Sequence, residues 1–235
     1  KRQGFFAVNS RDSRNAIKIA FLYYNGEIIM SANFPPTAKI LLKTIVGVFL
    51  ILALFFVPAG TFRWPEAWFF LILYFLSVGA VVIWMKKKRP DLLKERMSRK
   101  RDVRGWDKKI LFVYTLVLII MLVVAGFDAV RFSWSRVPAA LKAIGFIGYI
   151  LSGILVFWVF TQNPFLAETV RIQSDRGHRV CTTGPYKYVR HPMYAGIMII
   201  ILSVPLSLGS FYALIPGALI VFLFVLRTSL EDKTL

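Results

Sequence analysis

The stretch "MYAGIMIIILSVPLSLGSFYALIPGALIVFLFVL", residues 193–226, has no charged residue in 34 positions. It is broken in its middle by Gly209-Ser210, a turn signal. Each arm, Met193–Leu208 and Phe211–Leu226, has 16 residues. At ~1.5 Å per residue an arm reaches roughly 24 Å, short of a ~30 Å hydrocarbon core. The stretch therefore predicts a tight helical hairpin, with Pro205 placed to bend its first arm.

Four longer apolar runs precede it, at about 40–57, 67–84, 110–129 and 141–160. Each is close to the ~20 residues that a helix needs to cross a bilayer. Hydrophobic residues make up 57% of the 235-residue chain and charged residues only 18%. A soluble helical domain needs polar faces at helical spacing, and most of these runs have none. The fold class expected is an all-α, polytopic membrane protein with four spans and a C-terminal short helical hairpin. Trp64, Trp68 and Trp84 flank the second run, where amphipathic rings favour the membrane interface. In the fourth run Gly145, Gly148, Ser152 and Gly153 form a small-residue surface suited to close helix packing.

The net charge of +18 is concentrated between the runs. Residues 85–109, "MKKKRPDLLKERMSRKRDVRGWDKK", hold twelve lysines and arginines. The segment 58–66 holds one and 130–140 holds two. The positive-inside rule places the twelve-charge loop in the cytoplasm. Counting spans from it brings the polar stretch 161–192 and the C-terminal end to the same face. Topology and contact with anionic headgroups account for the basic residues, and no nucleic-acid reader motif accompanies them. Cys181 is the sole cysteine, and His178 and His191 are the two histidines, so neither an internal disulfide nor a protein-only metal site is expected.

Three regions follow. Residues 1–29 mix polar and apolar residues without a sustained period and read as an N-terminal extension, with Met30 as the expected natural start. Residues 30–160 are the four-span region. Residues 161–235 are expected to carry the chemistry.

In that last region Asp175-Arg176-Gly177-His178 and Gly184-Pro185 are turn signals. Pro192 suits a first helical turn and biases His191 toward extended backbone. The unpaired N–H groups at that helix start, beside Arg190 and His191, make an anion-binding corner. At the other end of the hairpin, in "RTSLEDKTL", Arg227 and Glu231 stand four apart, and share a helix face if the last helix continues through them. A carboxylate there suits a cation. The two corners together suggest a clamp for a small zwitterion. Arg190 and His191 would hold its carboxylate and Glu231 its ammonium. Tyr186, Tyr188 and Tyr194 would pack a ring or face a soft cation.

The pattern Gly184-x-Tyr186, Arg190-His191-Pro192-x-Tyr194-x-Gly196, then Arg227 and Glu231-Asp232, resembles the isoprenylcysteine carboxyl methyltransferase and phospholipid methyltransferase superfamily. The likeness extends over Asn163–Leu235. It implies an integral-membrane methyltransferase that uses S-adenosylmethionine on a lipophilic small-molecule or lipid acceptor. It carries Gly184, Tyr186, Arg190, His191, Tyr194, Gly196 and Glu231 over as cofactor-binding residues. His191, Arg190 and Glu231 would be catalytic, and Arg227 and Asp232 would face the substrate. Asp232 stands where the family usually has a second glutamate. Relatives usually continue past the position of Leu235 through a tyrosine-containing segment, so a C-terminal truncation is expected. The alternatives are a sterol-reductase-like membrane enzyme using NADPH, which shares an R-H-x-x-Y pattern, and a non-enzymatic lipid-binding or transport protein.

Overall fold

The computed structural model describes residues 18–24, 27–33, 36–97, 104–163, 166 and 181–233. The chain divides into two compact units, Lys1–Ala53 and Leu54–Leu235.

The first unit holds a β-hairpin, in which β1 (Lys18–Tyr24) pairs antiparallel with β2 (Glu27–Asn33). Lys18 lies opposite Asn33 and Tyr24 opposite Glu27. Asn25-Gly26, the pair between these strands, is the strongest short-range hairpin signal a sequence offers. The irregular periodicity of residues 1–29 hid it, and β2 runs across Met30. The helix α1 (Pro36–Ala59) starts in this unit, and its last turns, from Leu54, belong to the second.

From Pro36 onward the described chain is helical: α2 (Pro65–Lys88), α3 (Pro90–Met97), α4 (Gly105–Gly126, ending in a π-helical turn Phe127–Arg131), α5 (Ala139–Gln162), α6 (Pro192–Leu208) and α7 (Leu214–Asp232). Among the described residues five helices are long and apolar enough to cross a membrane, namely α1, α2, α4, α5 and α7. The protein is a polytopic helical membrane protein. Two features differ from the expected outline. The second hairpin arm starts at Leu214 and continues through Arg227 to Asp232, so at 19 residues it joins the spans, while α6 stays short at 17. Part of the basic loop is itself helical, as α3.

Close packing of α5 on α6 organises the second unit. A Cβ on Gly145 would lie 2.5 Å from the Ser207 nitrogen and 2.9 Å from the Ser203 carbonyl oxygen, and one on Gly148 would lie 2.5 Å from Ser203 Oγ. Backbones can approach this closely only where side chains are missing. Ser152, further along the stripe, is buried as well. Gly153 departs from the expectation, because a Cβ there would meet nothing within 4 Å. Trp64 departs too. It packs in the core against Phe55, at 6.1 Å between ring centroids, rather than at an interface. Trp68 is exposed and donates from Nε1 to the Phe62 carbonyl.

At one end of the bundle the α6–α7 turn is tied down by Asp128, which is fully buried. Its carboxylate accepts from Ser135 N (2.7 Å), Ser135 Oγ (2.5 Å), Ser210 Oγ (2.6 Å) and Tyr212 N (3.2 Å). Gly209, at φ +85°, closes α6. Nearby Lys142 pairs with Glu66 at 2.6 Å, joining the starts of α5 and α2. Two arms of nearly equal length leave the clamped turn. Their other ends, the start of α6 and the finish of α7, therefore return to the same level at the opposite end of the bundle.

Candidate functional site

That opposite end gathers the close of α2, the helix α3, the close of α5 and the start of α6. Met85, Leu92 and Phe160 form a buried cluster there, with Met193 packed against it. Lys86, Lys87 and Lys88 finish α2 beside it. The basic segment and the α6 start are thus neighbours in space.

The start of α6 is built by Pro192. It occupies the first helical position, and the N–H of Ala195 bonds back to the His191 carbonyl at 3.1 Å. Pro192 has no N–H, and for Met193 and Tyr194 the carbonyl four residues back lies outside the helix. Their two N–H groups mark the positive end of the α6 dipole.

Opposite stands the last turn of α7. His191 Nε2 lies 2.9 Å from Asp232 Oδ1. A carboxylate only accepts, so Nε2 carries the hydrogen, and Nδ1 is left as the basic nitrogen when the ring is neutral. The Tyr194 hydroxyl donates to Glu231 Oε2 at 2.5 Å. The His191 and Tyr194 rings stack with centroids 5.5 Å apart and planes 4° from parallel. The two halves of the expected clamp do meet, and they already touch one another.

The other expected residues sort by position. Gly184 starts a short 3-10 turn (Gly184–Lys187) at φ +57°, and a Cβ there would lie 2.5 Å from Gln162 Cγ, so both backbone and space call for glycine. In that turn the Tyr186 hydroxyl accepts from Asn163 Nδ2 at 2.8 Å. Burial pushes the Tyr186 phenol up, and the Glu231 carboxylate acts in the same direction, against the Asn163 hydrogen bond. Tyr186 therefore stays a neutral phenol within the electrostatic reach of Glu231. Arg190 is exposed, and Tyr188 is 79% exposed. Gly196 is buried against α5, where a Cβ would come within 2.8 Å of Val156 Cγ2. The turn at 175–178 lies outside the described residues.

Arg227 shares the α7 face of Glu231 as expected, yet its guanidinium is turned to Asp107. Nε donates to Oδ1 at 2.8 Å, with the arginine side chain 6% exposed and the aspartate 0%. The guanidinium carbon also lies 5.2 Å from the centre of the Tyr194 ring. Sequence reasoning missed Asp107, which sits in the basic loop's last turn of sequence and reads there as one acid among many bases. Its available signal was its place in the first turn of α4, where an acidic residue is favoured. Asn163 was passed over as well. It follows the end of α5, where no pattern pointed to Tyr186.

A family comparison meets this geometry on the same residues. Residues 143–235 match the model of the isoprenylcysteine carboxyl methyltransferase (ICMT) family. The matched region contains most of α5, the 3-10 turn, α6 and α7, and so every residue of the corner except Asp107. A comparison with curated proteins gives no match. This C-terminal part of the chain is therefore similar to a family of carboxyl methyltransferases.

Proposed function

We propose that the protein is an integral-membrane methyltransferase that uses S-adenosylmethionine to methylate a lipophilic acceptor, with its site on the cytoplasmic face. One observation carries the reading. The Arg190–Tyr194 start of α6 and the Glu231-Asp232 end of α7 form one corner holding both signs of charge, in the region that matches the ICMT family.

The residues present fit the methyl donor. Its amino-acid portion carries an ammonium and a carboxylate. Glu231 would hold the first. Arg190 and the N–H groups of Met193 and Tyr194 would hold the second, at the end of a helix that favours anions. Tyr186 and Tyr194 offer neutral aromatic surface to a sulfonium. When bound, this cofactor supplies an electrophilic methyl group on a leaving group that is already activated.

The chain then has three tasks. It aligns donor and acceptor, which can account for much of the rate. It limits water on one side, where Met193 packs the start of α6 against the Met85–Leu92–Phe160 cluster. It manages a proton where the acceptor has one to lose. A carboxylate acceptor needs no base. For an amine or thiol, His191 Nδ1 takes the proton, and Asp232 on Nε2 holds the ring's orientation and stabilises the imidazolium. The acceptor's apolar tail reaches the corner from the bilayer, between helices.

The test pairs binding with turnover. Purified protein in lipid nanodiscs should bind S-adenosylmethionine and not NADPH, and should transfer labelled methyl to a membrane lipid extract. His191→Ala and Glu231→Ala should each abolish turnover while the protein stays folded. Near-normal turnover in both variants would remove the site assignment.

A further inference from the structure

The Arg227–Asp107 pair lies beside the proposed methyl-donor corner without being explained by it. Arg227 and Glu231 are four apart on α7, a spacing at which opposite charges on one helix meet readily. Left to itself, Arg227 would close on Glu231 and neutralise it. In the structure it does not. Asp107, arriving from the start of α4, takes the guanidinium at 2.8 Å in a fully buried setting. The placement is favourable for the aspartate, whose charge sits in the first turn of its own helix, at the positive end of the α4 dipole. Glu231 keeps a contact with Tyr194 through Oε2, and among the described residues no cation is paired with it.

We propose that Asp107 is a positioning residue that holds Arg227 away from Glu231, and so keeps the Glu231 carboxylate open to the ammonium of the methyl donor. The inference rests on the methyltransferase reading. Asp107 lies outside residues 143–235, so the family match does not speak to it. The device has a second effect. Arg227, fixed by Asp107, lies against the Tyr194 ring at 5.2 Å. The ring thus has both Arg227 and His191 as neighbours, with its hydroxyl on Glu231. The loop after the second apolar run thus acts on the site through the start of α4, although Asp107 itself touches no substrate.

The experiment measures S-adenosylmethionine affinity, and KM and kcat for methyl transfer, in wild type, Asp107→Asn, Asp107→Glu and the double variant Asp107→Asn/Arg227→Gln. In Asp107→Asn the released Arg227 captures Glu231. Donor KM and Kd should rise at least tenfold, while kcat at saturating donor falls less than threefold. Asp107→Glu, which keeps the charge, should retain most of the affinity. The double variant removes the captor as well as its keeper, and should return donor affinity to within about threefold of wild type. A merely structural role would lower the folded fraction without moving Kd of the folded protein. Unchanged donor Kd in Asp107→Asn, or no recovery in a folded double variant, would overturn the inference. If Asp107→Asn does not fold, the double variant alone decides by the same threshold. Failure of the wild type to bind S-adenosylmethionine would instead overturn the functional reading beneath it.

Discussion

Tyr194 joins the two arms of the hairpin by its hydroxyl, which donates to Glu231 Oε2 at 2.5 Å from the first turn of α6 to the last turn of α7. The bond aims the carboxylate and leaves Oε1 for a ligand. Tyr194→Phe keeps the ring, with its stacking on His191 and its contacts to Arg227 and Phe224, and removes only the donor. Hydrogen bonds to charged groups contribute about 1.5–3 kcal/mol. Donor affinity should therefore fall roughly ten- to a hundredfold, with thermal stability little changed. Titration calorimetry and a melting curve on the same preparation check both halves.

Asp128 should behave in the opposite way, as a stability residue remote from the site. Its carboxylate is fully buried and accepts four hydrogen bonds, two of them from the α6–α7 turn. In Asp128→Asn the new amide hydrogens confront donors already in place. Hydrogen bonds to a charged group contribute about 1.5–3 kcal/mol each, and several weaken here at once. The melting temperature in detergent should drop markedly. The folded fraction, separated by size-exclusion chromatography, should bind the donor with nearly the wild-type Kd, because the corner stands at the other end of both arms.

Much of this fold is legible in the sequence because lipid imposes a length rule that composition alone can meet. The four long runs are read directly from their sustained apolar composition, and the hairpin break from Gly209-Ser210. The rest needed contacts between distant residues. The last arm was read as ending at Leu226 because Arg227 is charged, and burial against Asp107 is what lets the helix carry it on to Asp232. Trp64 reads as an interfacial ring, but the turn between α1 and α2 folds it into the core. At the site, Arg190 to Tyr194 and Glu231-Asp232 stand out as motifs. Asp107 and Asn163 do not, since Asp107 meets Arg227 from 120 residues away and Asn163 meets Tyr186 from 23.

The glycines of α5 supply a matched pair of tests. At Gly145 a side chain would collide with Ser207 and Ser203 backbone atoms that cannot rotate away. Gly145→Val should separate α5 from α6 and cost about 3 kcal/mol or more, at the upper end of overpacking effects. Gly153 lies on the same helix facing open space. Gly153→Val there should change stability by no more than about 0.5 kcal/mol, as for other open surface positions. Equal losses at the two positions would contradict the α5–α6 interface described here.

Cys181 provides a built-in probe of sidedness. It is the only cysteine in the chain, so a thiol reagent reports on one position without mutagenesis. It is partly exposed, with Sγ 3.5 Å from the Gln162 carbonyl at the end of α5, and it leads directly into the 3-10 turn that carries Tyr186. The basic residues closing α2 lie at this same end of the bundle, by way of the cluster that joins Met85 to Met193. Twelve lysines and arginines in 85–109 oppose translocation of that end. A membrane-impermeant maleimide should therefore label Cys181 in inverted vesicles and leave it unlabelled in intact cells until the membrane is permeabilised. Labelling of intact cells would put the corner on the outer face, where no S-adenosylmethionine pool is at hand, and would count against both the orientation and the choice of methyl donor.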